Sequence, residues 1–354
     1  MGKETRVLVV IGIDPHMRSH TAVAVDGTGR KLAQLTIGSK AADILRLLDW
    51  ARQWGDEPRQ WAVEDCRHVA GTLVRTLVGA GQPVVMVPPK LMARSRSSAR
   101  THGKSDPIDA LAVARAALRE PDLPAAHLDE QALEVRLLLD HREDLTAERT
   151  RMINRLRWHL HDLEIPVQAG QALNSLRALT ELLERLAEAR DGVRTEIAIE
   201  LVKRIRAVTR RINELKHRIE AQVADMAPEL LNLPGCAGLT AAKIVAETAG
   251  AARFRSSAAF AMHAGVAPIP VWTGNRARFR LNRGGNRQLN AALHRIAITQ
   301  LRVHPPARDL VGRRTAGGKS KSEALRVLKR HLADVVYHRL RQHPSPSTCQ
   351  TAAA

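Results

Sequence analysis

The chain has few aromatic residues and few cysteines. Its 354 residues include one tyrosine, three phenylalanines, five tryptophans and three cysteines. So low an aromatic content argues against a base-stacking platform of the kind that single-strand-binding proteins use. The cysteines (Cys66, Cys236 and Cys349) lie far apart and lack the paired spacing of a zinc site. We therefore expect no structural zinc and a reducing compartment, the cytoplasm.

Long apolar runs are absent as well. No stretch approaches the ~20 apolar residues that a membrane-spanning helix needs. The first residues, Met-Gly-Lys-Glu-Thr-Arg, do not have the pattern of a cleavable signal. A chain of this length should bury a sizeable core and form two or three domains. We predict domains over 1–125, 126–227 and 228–342, followed by a disordered tail over 343–354.

Positively charged residues clearly outnumber negatively charged ones. Lysine and arginine number 55 against 36 aspartates and glutamates, which gives a formal net charge of +19. Such a surplus is costly in self-repulsion and indicates a polyanionic partner. Because no segment can span a membrane, the sequence favours nucleic acid as that partner.

The N-terminal region predicts a mixed α/β domain. Short β-branched runs and amphipathic segments follow one another in the order strand, strand, strand, helix, strand, helix, strand, helix. This order is typical of a mixed sheet with helices on its faces.

Four acidic residues occupy the ends of these elements. Asp14 ends an apolar strand, Glu64 ends a second short strand, and Asp106 and Asp109 open a helix behind the N-cap candidate Ser105. Residues three apart on a helix share a face, so the two aspartates can act together. Carboxylate oxygens suit hard cations such as magnesium, Mg²⁺. The sequence therefore predicts a metal centre, with ordinary strand-end and helix-dipole acids as the alternative.

Three segments carry a resemblance to a known family. They are Ile-Gly-Ile-Asp-Pro-His, Ala-Val-Glu-Asp-Cys and Gly-Lys-Ser-Asp-Pro-Ile-Asp-Ala-Leu-Ala-Val-Ala-Arg, which contain the four acids. They resemble the Asp-Glu-Asp-Asp transposases of bacterial insertion sequences, the IS-one-ten family. The arginine-rich stretch from Phe260 to Asn290 is similar to the C-terminal domain of the same family.

The resemblance implies a fold, an activity and partners. We expect a ribonuclease-H-like (RuvC-like) N-terminal domain, a long helical coiled-coil middle and a mostly helical C-terminal domain. The activity would be DNA transposition by Mg²⁺-dependent phosphoryl transfer on the ends of the element and on target DNA. A structured guide RNA would pair with both DNAs, and a homo-oligomer, a dimer or tetramer, would complete the active site.

One position departs from the family. A serine before a glycine is the family's recombination nucleophile, and the matching residue in Val-Trp-Thr-Gly-Asn is Thr273. Threonine keeps the hydroxyl, but its β-methyl group restricts the side-chain torsion χ1 and crowds in-line attack. The resemblance therefore implies a threonine variant of the nucleophile, with weakened or absent activity as the alternatives.

Two arginine-rich segments are candidates for phosphate contact. The first precedes Asp106 without any acid, and the second follows Thr273 in the C-terminal region. Solvated basic loops are the alternative, but the net charge favours phosphate. The candidates are Arg94, Arg96, Arg100 and Lys104 in the first segment, and Arg276, Arg278, Arg280, Arg283 and Arg287 in the second.

The middle region predicts long helices. Apolar residues from Leu201 to Met226 recur at steps of four and three, the pattern of a coiled-coil seam. Either a helical hairpin within the chain or a dimer could bury this seam. A second pattern, Leu-Pro-Gly-Cys-Ala-Gly-Leu, resembles a helix-hairpin-helix, but Gly235 and Gly238 stand one residue too far apart for its DNA-binding form. A purely structural hairpin is the alternative.

Two other functions fit the same residues. A junction-resolving nuclease would need only the acidic cluster, with water as the attacking group. A catalytically silent nucleic-acid-binding protein would keep the basic surface alone. A covalent protein–DNA adduct would distinguish transposase from nuclease, and any cleavage would exclude the silent protein.

Overall fold

The computed structural model describes residues 9–55, 59–65, 69–89, 91–92, 105–120, 123–166, 173–189, 192–274, 276–282 and 284–342. These residues form two compact units. The first combines Met1–Asp129 with Ala249–Ala354, and the second is Glu130–Thr248. The domain boundaries predicted at 125, 227 and 342 stay predictions, and the tail over 343–354 lies outside the described residues.

A five-stranded mixed sheet forms the centre of the first unit. The strand order is β3-β2-β1-β4-β5. The β1–β2 and β2–β3 pairs are antiparallel, and the β1–β4 and β4–β5 pairs are parallel. With the helices described next, this confirms the predicted order of elements and the predicted mixed sheet with helices on its faces. The strands are β1 (Val9–Pro15), β2 (Ser19–Asp26), β3 (Lys31–Gly38), β4 (Arg59–Glu64) and β5 (Val84–Val87).

Burial on both faces explains the composition of the central strands. All seven residues of β1 are buried, and its Val-Val-Ile run is what a strand covered on both sides requires. The outer strand β3 instead alternates between exposed and partly buried residues. Three helices cover the two faces: α1 (Ala41–Ala51), α2 (Gly71–Gly79) and α3 (Asp106–Arg119).

Each face of the sheet has its own core. Ile11 and Trp61 pack on one face with residues of α1 and α2, such as Leu47. Val10 packs on the other face with α3, whose buried side is almost all alanine and valine, for example Val113. Small side chains let a helix lie close to a sheet, so α3 can pack directly against the strands.

Gly12 is where α3 meets β1. A Cβ atom at this glycine would lie 2.3 Å from the Ala110 carbonyl oxygen, and 2.4 Å and 2.7 Å from the backbone nitrogen and Cβ of Ala114. Two of these three atoms belong to helix backbone, which cannot move aside as a flexible side chain can. The glycine therefore fixes the distance between α3 and the strand that ends at Asp14.

The second unit is built from long helices. The predicted seam is buried within the chain: Leu201, Ile212 and Val223 are at most 4% exposed. The structure therefore supports the alternative in which a helical hairpin within the chain, and not a dimer, buries this seam. The helices are α4 (Glu130–Asp162), α5 (Leu176–Ala187), α6 (Val193–Met226), α7 (Pro228–Leu231) and α8 (Gly238–Thr248).

The glycine turn before α8 has a structural role. A Cβ at Gly238 would lie 2.5 Å from the side chain of Glu220 on α6, so the turn packs directly against that helix. Every residue of α8 from Thr240 to Thr248 is buried. Lys243 of α8 forms an ion pair of 2.7 Å with Glu143. These contacts are those of a structural hairpin and not those of the DNA-binding form.

The C-terminal part of the first unit carries a β-hairpin on helices. Tyr337 donates a hydrogen bond of 3.0 Å to the carbonyl of Phe254. Asn290 donates to the carbonyls of Ala264 and Gly265, each at 3.0 Å, and so fixes the turn that precedes the hairpin. The elements are α9 (Ser257–His263), β6 (Pro268–Thr273), β7 (Arg276–Leu281), α10 (Arg287–Val303), α11 (Pro305–Ala316) and α12 (Lys321–Gln342).

The close contact at Gly12 gives a stability prediction. Gly12→Ala should lower the free energy of unfolding by about 1–3 kcal/mol or more, because α3 must shift to admit the methyl group. Urea unfolding with an unchanged m-value would measure this. Gly79→Ala is the matched control: it lies at the end of α2 with nothing within 4 Å of its Cβ position, and it should be neutral or slightly stabilising. Equal effects of the two substitutions would contradict the proposed packing constraint.

Candidate active site

Two carboxylates end neighbouring strands at one edge of the sheet. Ile13 of β1 pairs in parallel register with Val63 of β4, and Asp14 and Glu64 come next in their strands. Side chains alternate between the faces of a sheet. Ala62, two residues before Glu64, packs in the core beneath α3. Both carboxylates therefore lie on the α3 side.

The first turn of α3 contributes the other two carboxylates. Ser105 is the N-cap, as the sequence predicts, although its side chain makes no capping hydrogen bond. Its carbonyl accepts hydrogen bonds from the backbone N–H groups of Ile108 and Asp109, at 2.9 Å and 3.0 Å. Asp109 is 8% exposed and turns into the protein, whereas the side chain of Asp106 is half-exposed. The close packing of α3 on Gly12 brings this turn to the carboxyl end of β1.

His16 joins the cluster and was missed by the sequence reasoning. Its Nε2 lies 3.1 Å from Asp14 Oδ2 and 3.4 Å from Asp106 Oδ1. The ring thus sits between a strand carboxylate and a helix carboxylate, where a cation would also be attracted. The available signal was its place two residues after Asp14, directly beyond the end of β1.

The electrostatics of Asp14 reflect its crowding. Burial raises the pKa of this carboxyl group above its ordinary value, and the nearby carboxylates of Asp109 and Asp106 raise it further. His16 and a hydrogen bond with the Glu64 side chain lower the pKa but do not cancel the rise. The other three predicted acids therefore all influence the pKa of Asp14. Like charges held together in this way favour either a proton or a cation.

The donor set fits a divalent cation. Ligand atoms of Asp14, His16 and Asp106 all lie within 4.8 Å of one another. Glu64 and Asp109 add carboxylate oxygens beside them, and carboxylate oxygens suit hard divalent ions. An imidazole nitrogen in the set also suits transition metals. The cluster can thus accept one or more divalent ions.

The C-terminal hairpin carries Thr273 at its tip. Thr273 is the last residue of β6 and pairs with Arg276, the first residue of β7, across a turn at Gly274 with φ of 57°. The described side chains do not include those of Thr273 and Arg276. The backbone places Thr273 at the tip of the hairpin, next to the exposed Gly274.

Only part of the predicted phosphate-contacting set belongs to the described side chains. Arg280 on β7 and Arg287 at the start of α10 are both at least partly exposed. The side chains of Arg278 and Arg283 are outside the described part. The whole first segment, with Arg94, Arg96, Arg100 and Lys104, lies outside the described residues as well.

A cleft of about 1430 Å³ connects the two halves of the first unit. Asp65, the residue after Glu64, lines it on the side of the sheet. Val271, two residues before Thr273, lines it on the side of the hairpin, together with Arg280 and Arg287. This volume exceeds the ~300–1,000 Å³ of small-molecule pockets and suits a polymer substrate.

Comparison with known proteins identifies the family. Residues 11–165 match a family model of Asp-Glu-Asp-Asp transposases of the IS110 type. Residues 227–312 match the model described as "Transposase IS116/IS110/IS902 family". The chain belongs to this transposase family. The transposase is thus an enzyme of DNA recombination, and the first matched region contains all four acids of the cluster.

Individual relatives match along nearly the whole transposase. A protein of insertion element IS116 from Streptomyces clavuligerus is 28% identical over 97% of this chain and 98% of the relative. A protein of insertion element IS900 from Mycobacterium paratuberculosis is 26% identical, with the same coverage. Among solved structures, T. thermophilus RuvC in complex with a Holliday junction substrate covers 34% of this chain and 99% of RuvC, at 19% identity and a TM-score of 0.27.

Among the described residues of the transposase, no helix combines the length and the apolar character that crossing a bilayer requires.

Replacing Asp14 should separate the effect of its charge on the stability of the fold from its effect on metal binding. The raised pKa means that the folded state binds a proton more tightly than the unfolded chain, so stability falls as pH rises from the ordinary carboxyl range through the folded-state pKa. At neutral pH the ionised carboxylate therefore disfavours folding. Asp14→Asn should raise the melting temperature in EDTA, measured by calorimetry.

Divalent ions should stabilise the fold that the ionised Asp14 carboxylate destabilises. Addition of Mg²⁺ or Mn²⁺ should raise the melting temperature of the wild type by binding to the folded state, and Asp14→Asn should abolish most of this increase. Asp26→Asn is a control outside the cluster, because Asp26 caps the exposed turn after β2. A lower melting temperature of Asp14→Asn in EDTA, or an undiminished increase with metal, would contradict the site.

Proposed function

We propose that the chain mobilises a bacterial insertion sequence by metal-dependent phosphoryl transfer at Asp14, Glu64, Asp106 and Asp109. The observation that carries the proposal is the convergence of these carboxylates from two strand ends and one helix start, in a chain of a transposase family. Acids of like charge that are held together destabilise a fold unless a proton or a cation neutralises them. Mg²⁺ is the cation that their oxygen donors suit best.

The four carboxylates would hold the metal ion, and the imidazole of His16 would adjust its coordination. Asp14 and Glu64 are fixed by paired strands and Asp109 is buried, so these three form the rigid part of the site. Asp106 and His16 are half-exposed and can move toward or away from a cation. When bound, Mg²⁺ would stabilise the charge that develops on the phosphoryl oxygens. The protein's share is to hold the carboxylates and to position the DNA phosphate.

Thr273 would supply the nucleophile. Its hydroxyl oxygen would form a bond to a DNA phosphorus atom while the bond from phosphorus to the leaving sugar oxygen breaks, and overall the hydroxyl proton would pass to that leaving oxygen. This creates a covalent protein–DNA intermediate that a second strand can resolve. The support is the family match at residues 227–312 and the position of Thr273 at the tip of the hairpin.

The basic surface would hold the nucleic acid. Between Glu247 and Asp309 the chain has ten arginines and no lysine, aspartate or glutamate. Arg280 and Arg287 line the cleft whose opposite side begins beside Glu64. Phosphates seated there would reach the carboxylate edge of the sheet. A guide RNA that pairs with DNA would account for the lack of a sequence-reading helix, because base pairing would supply the specificity. A homo-oligomer would place two such sites on two DNA ends.

A second function has one observation in its favour. The four carboxylates lie together without any contribution from the hairpin. A nuclease that uses water as the attacking group needs nothing more. Such an enzyme would cleave DNA without forming a covalent adduct.

Neutralising the arginines tests the nucleic-acid surface. Changing Arg276, Arg278, Arg280 and Arg283 together to glutamine should reduce the slope of log affinity against log salt by up to about 0.9 for each phosphate that the variant no longer binds. The measurement is fluorescence anisotropy with labelled duplex over a salt series. The control changes four exposed arginines of α6 to glutamine, which alters the net charge equally: Arg204, Arg210, Arg211 and Arg218. Equal slopes for the two variants would leave the hairpin arginines as a solvated loop.

Substitutions at Thr273 test the nucleophile. Thr273→Ser keeps the oxygen and removes the methyl group, so the rate should rise about 2- to 10-fold, the equivalent of relieving the ~0.5–1.5 kcal/mol of an off-rotamer side chain. Thr273→Val keeps the shape and removes the oxygen, so the covalent intermediate should disappear. Adduct yield on a strand-transfer substrate measures both effects.

The same substrate separates the alternatives. Asp14→Asn is the control that should abolish processing with Thr273 intact. Adduct formation by Thr273→Val at the wild-type level would exclude Thr273 as nucleophile. Cleavage without adduct by this variant would favour the water-using nuclease, and no Mg²⁺-dependent processing by wild type would favour the silent binding protein.

A further inference from the structure

The two faces of the C-terminal hairpin differ in chemistry. Antiparallel pairing sets Pro270 opposite Phe279, and Pro268 opposite Leu281. Directly paired residues share a face and successive residues alternate. Trp272 follows Pro270 by two residues, so it lies on this same face. The result is an apolar face made of Pro268, Pro270, Trp272, Phe279 and Leu281, hereafter the aromatic face.

The aromatic face is uncovered. Trp272 is 72% exposed, Phe279 is 59% exposed and Leu281 is 46% exposed. Large apolar side chains that stay exposed on one face indicate a binding surface. Phe279 and Leu281 also line the cleft, so this surface continues into it.

Exposed aromatic rings are rare in this protein. The sequence has nine aromatic residues. Among the described residues, Trp61, Phe260 and Tyr337 are buried core, and Trp50 packs edge-to-face on Trp54. Only three aromatic side chains of the described part are more than half exposed: Trp158, Trp272 and Phe279. Two of the three therefore stand on one short ribbon, as diagonal neighbours about 7–8 Å apart in backbone spacing.

Charge decides which partner fits this face. The hairpin lies in the segment between Glu247 and Asp309 that has ten arginines and no acid. A second copy of the chain would bring the same positive surface against it, in a protein of net charge +19. A polyanion with flat apolar groups matches both the rings and the arginines. Nucleic acid is the polymer that offers both, through its phosphates and its bases.

We propose that the aromatic face stacks on unpaired nucleobases through Trp272 and Phe279 while neighbouring arginines contact the phosphates. The proposal rests on the proposed nucleic-acid function of this hairpin and extends it from phosphate binding to base contact. Every base has a π-face, so such stacking tolerates any sequence. The low aromatic content excludes a long stacking platform, but two well-placed rings suffice to hold bases of an opened strand apart from their partners.

Binding of single strands to the full-length chain tests the proposal. Fluorescein-labelled oligo-dT and oligo-U measure affinity by anisotropy in the Asp14→Asn background, where no strand is cut. Trp272→Ala and Phe279→Ala should each weaken binding about 10-fold, within the range for removal of one base–aromatic stack. The salt slope should stay unchanged, because no ionic contact is removed.

Three controls make the result specific. Trp158→Ala removes a tryptophan that is 80% exposed in the other unit, and it should bind as the wild type does. Trp272→Phe and Phe279→Tyr keep a ring and should restore most of the affinity. Abasic oligonucleotides keep the phosphates and remove the bases, so on them wild type and variants should bind equally. The ratio of the effects on dT and U shows whether DNA or RNA is the natural source of the bases.

Several outcomes would overturn the proposal. Unchanged affinity of Trp272→Ala and Phe279→Ala would exclude base contact. An equal reduction of affinity on intact duplex would assign the rings to insertion between paired bases instead. A change of oligomeric mass with unchanged affinity would make the face a contact between copies. The binding assay requires neither cleavage nor metal. The stacking proposal can therefore fail while the phosphoryl-transfer proposal stands, and the phosphoryl-transfer proposal can fail while the stacking proposal stands.

Discussion

The contact of α3 with Gly12 is the constraint on which the N-terminal site depends. The helix can lie this close to the sheet because β1 has no side chain at this position and α3 presents alanines to it. The first turn of the helix is thereby set beside the carboxyl end of the strand. Asp106 and Asp109 reach Asp14 because of this packing. A bulkier residue at Gly12 would move two of the four acids at once.

The same packing creates an electrostatic cost. Asp14 is 4% exposed, and water cannot screen it from Asp109 and Asp106. The protein tolerates this because the surrounding strands are apolar and fully paired, so the sheet stays folded around an unfavourable charge. A strongly perturbed carboxylate within a cluster of like charges is typical of functional sites. The half-exposed His16 reduces the cost in part and leaves room for a cation.

Much of this arrangement could be predicted from the sequence. The strand ends at Asp14 and Glu64 followed from β-branched runs, and the helix start at Asp106 followed from the N-cap and Pro107. His16 was missed because its role depends on the distance to Asp106, which is remote in sequence. The aromatic face was missed because it depends on register: only the pairing of Pro270 with Phe279 puts Trp272 and Phe279 on one side. The coiled-coil seam after Leu201 could be recognised from the sequence. The sequence does not show whether a helix of the same chain or a second copy of the chain covers it.

The distribution of charge explains why one chain needs both the cluster and the hairpin. A DNA phosphate is repelled by four carboxylates, so the acidic edge of the sheet cannot hold it alone. The segment between Glu247 and Asp309 has the opposite character, with ten arginines and no acid. Asp65, the residue after Glu64, lines one side of the cleft, and Arg280 lines the other. A polyanion held by the arginines can approach the carboxylates only when a cation neutralises them. In the proposed transposition reaction, phosphate binding and metal binding would therefore favour each other, and the reaction would need both regions.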